Sequence, residues 1–357
     1  MSITRRQQAI LDVLHRTSDG AATRDILLAL AQSTDRISRV TVIRDLGVLV
    51  AGGFVRRTGK GRNVRYREKL ANTSLRHVDP EAYFSVDDAE RPLVHPTYHS
   101  SALDAFSGAF TKKEREQITA LNDAYRRRLR ALPLAIIRKE TERFTTEFSW
   151  KSSRIEGNTY SLLDTEMLLK EQKEAQGHTH QEAQMILNHK TALDFIFSHP
   201  GDYSSLKRRT IEQLHALIMK ELGVAKGLRG APVGILGTSY RPMGLRSQLH
   251  EALGETVMRI NAEPWVPAKA LIALLMIAYI QPFEDGNKRT ARLLGNALLI
   301  AGRFCPLSFR SIDEKEYKKA VILFYEQHNI AYFKNLFLEQ FVYAARQYFQ
   351  AGNPAIS

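Results

Sequence analysis

Apolar residues recur at helical spacing near the start of the chain. In residues 5–16, Ile10, Leu11 and Leu14 share one face. In 19–32 the face is Ile26, Leu27 and Leu30, with Thr23 expected as N-cap. In 37–53 Val42, Leu46, Leu49 and Val50 form the stripe. Ser38 is expected to cap this third helix, and Gly52 and Gly53 to end it. Residues 54–68, "FVRRTGKGRNVRYRE", alternate with period two around a glycine-rich turn at 58–62, the pattern of two paired strands.

Residues 76–100 carry prolines and histidines with little periodicity, which predicts a linker or an arm packed on the next domain. From about residue 111 the helical pattern dominates and a helical tail runs to about 350. The segment 227–244 interrupts it; there 234–240 predicts a short β-hairpin with Gly237 at its turn. The run "ALIALLMIAYI" (270–280) is too short to span a bilayer and predicts a buried core helix. The expected fold is mainly α, divided at 1–70, 71–110 and 111–350.

Composition narrows the class. With 357 residues, 44% hydrophobic and 25% charged, the chain has the makeup of a soluble globular protein with two or three domains. The single cysteine, Cys305, excludes an internal disulfide and a cysteine-cluster metal site and suits a reducing cytoplasm. The start, "MSITRRQQAI", carries no secretory pattern. His77, His95 and His99 have no carboxylate or cysteine at ligand spacing, so no metal is expected there.

Charge is unevenly spread. Of a net +13, residues 1–76 hold +9, from 15 Lys/Arg against 6 Asp/Glu. Such a segment favours a polyanion through counterion release. Three short helices followed by a basic hairpin resemble a winged helix-turn-helix, and "SRVTVIRDLGVLVAGGFVRRTGKGRNVRYR" is similar to the recognition helix and wing of bacterial repressors. The resemblance implies double-stranded DNA as partner. Arg39, Thr41 and Arg44 would face bases, and Lys60, Arg62 and Arg65 would meet phosphate or the minor groove. It also implies a homodimer reading two half-sites. Winged helices also serve as docking modules, but such a module has no need of six cations in residues 54–68.

A dozen residues near the C-terminal third carry the chemistry. "QPFEDGNKRTAR" (281–292) reads as a tight turn at Gly286 feeding a helix whose first N–H groups and dipole make an anion site. Asn287 supplies an amide, Lys288, Arg289 and Arg292 supply charge, and Asp285 is a hard oxygen ligand of the kind Mg²⁺ prefers.

The stretch resembles the Fic (fido) signature, His-x-Phe-x-Asp/Glu-Gly-Asn-Gly-Arg-x-x-Arg, through Phe283, Asp285, Gly286, Asn287, Arg289 and Arg292. "SSRIEGN" resembles the family's inhibitory motif through Ser152, Glu156 and Gly157. Gly234, Ile235, Leu236, Gly237 and Thr238 lie where the family has its target-docking flap. The similarity runs over roughly 100–345. It implies an all-α domain with one small hairpin, ATP and Mg²⁺ as ligands, and AMP transfer to a hydroxyl of a target protein. Phe283 would anchor the core and Asp285 would hold Mg²⁺. Gly286 and Asn287 would cradle phosphates, and Arg289 and Arg292 would bind the β- and γ-phosphates. Glu156 would pair with Arg292 and obstruct the productive ATP pose from within the same chain.

Two positions depart from the signature. Gln281 stands where the family has its general-base histidine, and an amide has no useful basicity. Losing a general base costs on the order of 10²–10⁴ in rate. Lys288 stands where glycine is more usual; it is either a further phosphate contact, a reorienting charge or a surface cation. Three readings follow. One is a DNA-binding regulator whose nucleotide domain transfers poorly. Another is an adenylyltransferase restrained by Glu156. The third is an inert scaffold, which predicts neither nucleotide nor DNA binding.

Overall fold

The computed structural model describes residues 4–15, 17, 20–31, 37–69 and 72–350. The chain divides into two compact units, Met1–Val86 and Asp87–Ser357.

In the first unit, α1 (Arg5–His15), α2 (Thr23–Leu30) and α3 (Arg39–Ala51) precede an antiparallel pair, β1 (Val55–Thr58) and β2 (Arg65–Glu68). The predicted stripes meet in one core: Ile10, Leu14, Ile26, Leu30, Val42, Leu46 and Leu49, closed by Val55 and Tyr66 from the hairpin. Ser38 caps α3, its hydroxyl accepting from the Thr41 N–H. Thr23 is not the cap of α2. It is the first helical residue, Ala22 is the cap, and the Asp25 carboxylate accepts from the Ala22 N–H. Ala21 exchanges two main-chain bonds of 2.9 Å with Tyr66, which extends the hairpin by one bridge. Asp45, buried on α3, is held by Arg6 and Gln7 of α1. A short helix, α4 (Pro80–Phe84), forms where little periodicity was visible; the Asp79 carboxylate starts it by accepting from the Glu81 and Ala82 N–H groups.

The second unit is helical: α5 (Lys112–Ala131), α6 (Leu134–Ile155), α7 (Leu162–Glu171), α8 (His180–Ser198), α9 (Arg208–Ile218), α10 (Arg246–Ala262), α11 (Val266–Ile280), α12 (Asn287–Ala301), α13 (Glu314–Gln327) and α14 (Ala331–Gln347). Helix α11 is the predicted core helix, buried on every side from Ala270 to Ile280. Helix α12 packs along it at close range, because Gly295 leaves room for Leu274. Among the described residues no helix is long and apolar enough to cross a membrane.

The hairpin expected at 234–240 does not form. The turn is there, with Gly237 at φ +82°, but the flanks do not pair with each other. The turn and its C-terminal flank bond to the arm at 88–99 instead, where Thr97 and Arg241 make a parallel bridge. Pro232 and Pro242, one on each flank, lack the N–H groups a ladder needs.

Candidate nucleotide site

The α11–α12 turn builds the site. Gln281 ends α11 in the left-handed region at φ +50°, and Gly286 starts α12 at φ +77°. A side chain at Gly286 would also collide with Met219, whose sulfur lies 2.5 Å from where a Cβ would stand. Phe283 is fully buried as an anchor, stacked on His215 of α9 at 3.7 Å between ring centres. His215 Nε2–H donates to the Asp285 carbonyl at 3.0 Å, which fixes the peptide entering Gly286.

Asn287 is placed differently from the sequence expectation. Its carbonyl accepts from the Phe283 N–H, and its amide donates to the Phe283 carbonyl at 2.8 Å and the Gln281 side-chain carbonyl at 2.9 Å. Both amide hydrogens are engaged inside the turn, so Asn287 braces the loop and has none left for a phosphate. Gln281 is pinned in return: its amide donates to the Ala278 carbonyl at 2.7 Å.

Lys288 and Arg289 line a small cleft of about 180 Å³ that also takes in Glu156, Gln281, Asp285 and residues 233–236 of the loop. Arg289 is buried and donates to Asp285 Oδ2 at 2.7 Å. Its other terminal nitrogen, Nη1, has no partner, an orphan donor of the kind an anion satisfies. Asp285 itself is open, its side chain 64% exposed.

Arg292 is fully buried and wholly engaged by α6. It donates from Nε to the Ser152 hydroxyl at 2.9 Å, from Nη2 to the Ser152 carbonyl at 2.7 Å and from Nη1 to Glu156 at 2.9 Å. Its guanidinium lies over the Tyr317 ring. Lys288 is paired too, with its Nζ 3.4 Å from the other Glu156 oxygen, rather than free for a phosphate. Burial would raise the Glu156 carboxyl, but Arg292 and Lys288 together pull it down to about 2, so it is ionised at neutral pH. Gly157 follows at φ +101° and turns the chain out of the helix.

Two contributors were missed in the sequence. His189 of α8 accepts from the Ser152 hydroxyl through Nε2 at 2.9 Å while its Nδ1–H donates to the Met185 carbonyl, so it orients the hydroxyl that receives Arg292. The other is His215. Its signal was visible: Ile211, Leu214, His215 and Ile218 share the apolar face of α9.

The expected base contacts lie on α3, where Arg39 and Arg44 are exposed and Thr41 is half-buried with its hydroxyl 2.8 Å from that of Ser38. Val40 and Ile43 are exposed beside them, at 77% and 46%. Lys60 is exposed; Arg65 is exposed and bonds the Gly20 carbonyl. The side chain of Arg62 lies outside the described residues.

Residues 205–299 match the Fic/DOC family. The chain carries a Fic/DOC domain. Among curated proteins it is similar to the protein adenylyltransferase Fic of Nematostella vectensis, 27% identical over 173 residues, and to that of Aedes aegypti, 28% over 190 residues. These alignments cover 47% and 52% of this chain but only 40% and 38% of the relatives, so the chain spans well under half of their length. Among solved structures, Fic-1 (residues 134–508) of C. elegans superposes with a TM-score of 0.60 at 17% identity, covering 96% of this chain and 92% of that one. A Fic domain containing signaling protein of Bacteroides thetaiotaomicron gives 0.55 at 19%, covering 65% of this chain and 94% of that one. At these identities the likeness is one of fold.

Proposed function

We propose that the Fic/DOC domain binds ATP with Mg²⁺, is held shut by α6, and transfers AMP poorly because Gln281 replaces the base, while the N-terminal unit binds double-stranded DNA. The observation that carries the nucleotide part is the orphan Nη1 of Arg289 beside an open Asp285 at a helix N-terminus. Among the described residues no group of three or more His, Cys, Asp or Glu converges on a metal. Asp285 would therefore hold Mg²⁺ with phosphate and water completing the shell, which is how that ion prefers to bind. When bound, the metal would offset the negative charge of the phosphates.

The restraint is steric and electrostatic. Arg292 cannot meet a γ-phosphate while it serves Ser152 and Glu156. The weak transfer follows from Gln281, whose amide is neither basic nor free. The N-terminal part rests on the concentrated charge and on the exposed Arg39, Val40, Ile43 and Arg44 of α3; arginine forks onto guanine and apolar side chains meet thymine methyls. A homodimer reading paired half-sites belongs to this proposal.

The alternative is an adenylyltransferase restrained by Glu156. The names of the curated relatives favour it. Intact-mass measurement after incubation with ATP and Mg²⁺ separates the two. An AMP-sized gain in Glu156→Gly favours the alternative. A gain only when Gln281→His is added favours the first reading.

A further inference from the structure

The corner between α5 and α6 carries a surface that the nucleotide site does not use. Its sequence, "AYRRRLRALPLAIIRK" (124–139), holds six Arg/Lys and no Asp or Glu. Within it Leu134 and Ile136 are 73% and 40% exposed. Arg127 and Arg130 precede them and Arg138 and Lys139 follow, all four exposed.

The corner is held from behind. Tyr125 packs edge-on to Phe349, 5.6 Å between ring centres. Arg128 donates to the Ala345 carbonyl, Arg143 donates to the Gln347 carbonyl at 2.7 Å, and the Phe349 N–H donates to Glu140 at 2.8 Å. The end of α14 thus braces both helices, and Arg128 is engaged in that brace. The four outer cations have no ion-pair or hydrogen-bond partner among the described residues. Exposed lysines elsewhere on these helices are paired one turn away, as in Lys112–Glu116, Lys170–Glu166 and Lys190–Asp194.

Cations and apolar side chains in one place narrow the partner. A nucleic-acid backbone would meet the cations but leave Leu134 and Ile136 in water, where apolar surface is unfavourable. A second copy in a symmetric pair would set cation against cation. An anionic bilayer satisfies both: its headgroups attract the cations and its acyl boundary takes the apolar side chains. The N-terminus of α6 has no side-chain cap and no acid in its first turn, so its positive dipole end adds to the attraction.

We propose that the α5–α6 corner is a peripheral docking surface for anionic phospholipid. Leu134 and Ile136 enter the boundary between headgroups and acyl chains, and Arg127, Arg130, Arg138 and Lys139 lie against the phosphates. Binding of this kind needs neither nucleotide nor AMP transfer, so it stands or falls apart from the function proposed above.

The test is co-sedimentation of the full chain with vesicles, an equal mixture of phosphatidylcholine and phosphatidylglycerol against phosphatidylcholine alone. The first variant, Arg127→Glu with Arg130→Glu, reverses two corner charges. The second, Lys112→Glu with Lys113→Glu, makes the same charge change at the far end of α5. The third, Leu134→Ser with Ile136→Ser, removes the apolar pair without changing charge. The basic N-terminal unit is common to all of them and cannot produce a difference between them. The expected result is binding to the mixed vesicles only, with partitioning lowered at least about tenfold in the first and third variants and less than about twofold in the second. An environment-sensitive dye gives a second readout. Attached at Leu134→Cys it should shift to the blue with mixed vesicles, and attached at Glu116→Cys it should not; Cys305 is fully buried and stays unlabelled. Absence of vesicle binding, equal loss in the two charge variants, or unchanged binding of the third variant overturns the proposal. So does a first variant that loses duplex affinity while keeping vesicle binding, which would assign the surface to nucleic acid.

Discussion

Arg292 donates twice to Ser152, once to its hydroxyl at 2.9 Å and once to its carbonyl at 2.7 Å. The pair to Glu156 is only the third bond. Removing Glu156 thus leaves two of the three ties intact. It also leaves a buried cation without its counter-charge, a change that costs about 3–5 kcal/mol when no anion replaces it. We expect Glu156→Gly to lower the melting midpoint and to bind ATP more tightly than the unsubstituted chain. Adding Ser152→Ala should tighten ATP further, and calorimetric titration of both variants measures this. Equal ATP affinity in the single and double variants would show that the Ser152 hydroxyl does not restrain the arginine.

Gln281 is held on both sides of its amide, by Ala278 and Asn287. In the Glu156→Gly background, Gln281→His should raise AMP incorporation by about 10²–10⁴, the usual contribution of a general base. Labelled-ATP incorporation gives the rate. No change would mean that proton removal does not limit transfer.

The acid behaviour of the latch has a definite sign. Glu156 sits at about 2 in the folded chain against an ordinary 4.5, so its stabilising effect is complete above pH 4.5 and is lost as pH falls towards 2. ATP affinity of the unsubstituted chain should therefore show no Glu156-dependent change between about pH 6 and pH 8. A titration across that window, with Glu156→Gln as reference, checks it.

Three buried histidines act at higher pH. Burial lowers His189 to about 3 and His215 and His328 to about 4, from an ordinary 6.5. Their contribution is complete above pH 6.5 and is lost as pH falls, because the unfolded chain takes up protons first. Each proton adds about 1.4 kcal/mol per pH unit, so the three together give a slope approaching 4 kcal/mol per unit near pH 5. Denaturant unfolding at a series of pH values should show this loss. His328→Gln should reduce the slope by about one proton.

On α3, Arg44→Ala should cost about 1–3 kcal/mol on a preferred duplex and relax sequence preference. Lys60→Ala on the hairpin should weaken all duplexes alike and lower the salt slope by about one. Binding isotherms at several salt concentrations separate the two. If neither substitution changes duplex affinity, the DNA reading of the first unit fails.

The sequence by itself determined the helical architecture, because periodicity reports which faces must be buried. Ile10, Leu14, Ile26, Leu30, Val42, Leu46 and Leu49 were legible as the apolar stripes of three helices, and the structure joins them in one core. Ser38 as a cap, Gly286 as a left-handed turn and 270–280 as a core helix were legible for the same reason: each depends on neighbours in the chain. Tertiary structure decided what depends on distant partners. It tied the 234–240 loop to the arm instead of to itself. It turned Asn287 inward and paired Lys288 with Glu156, 132 residues away. It brought His189 to Ser152 and His215 to Phe283. A side chain's hydrogen-bond capacity can be read from its letter, but which partner takes it is settled only when remote segments pack together.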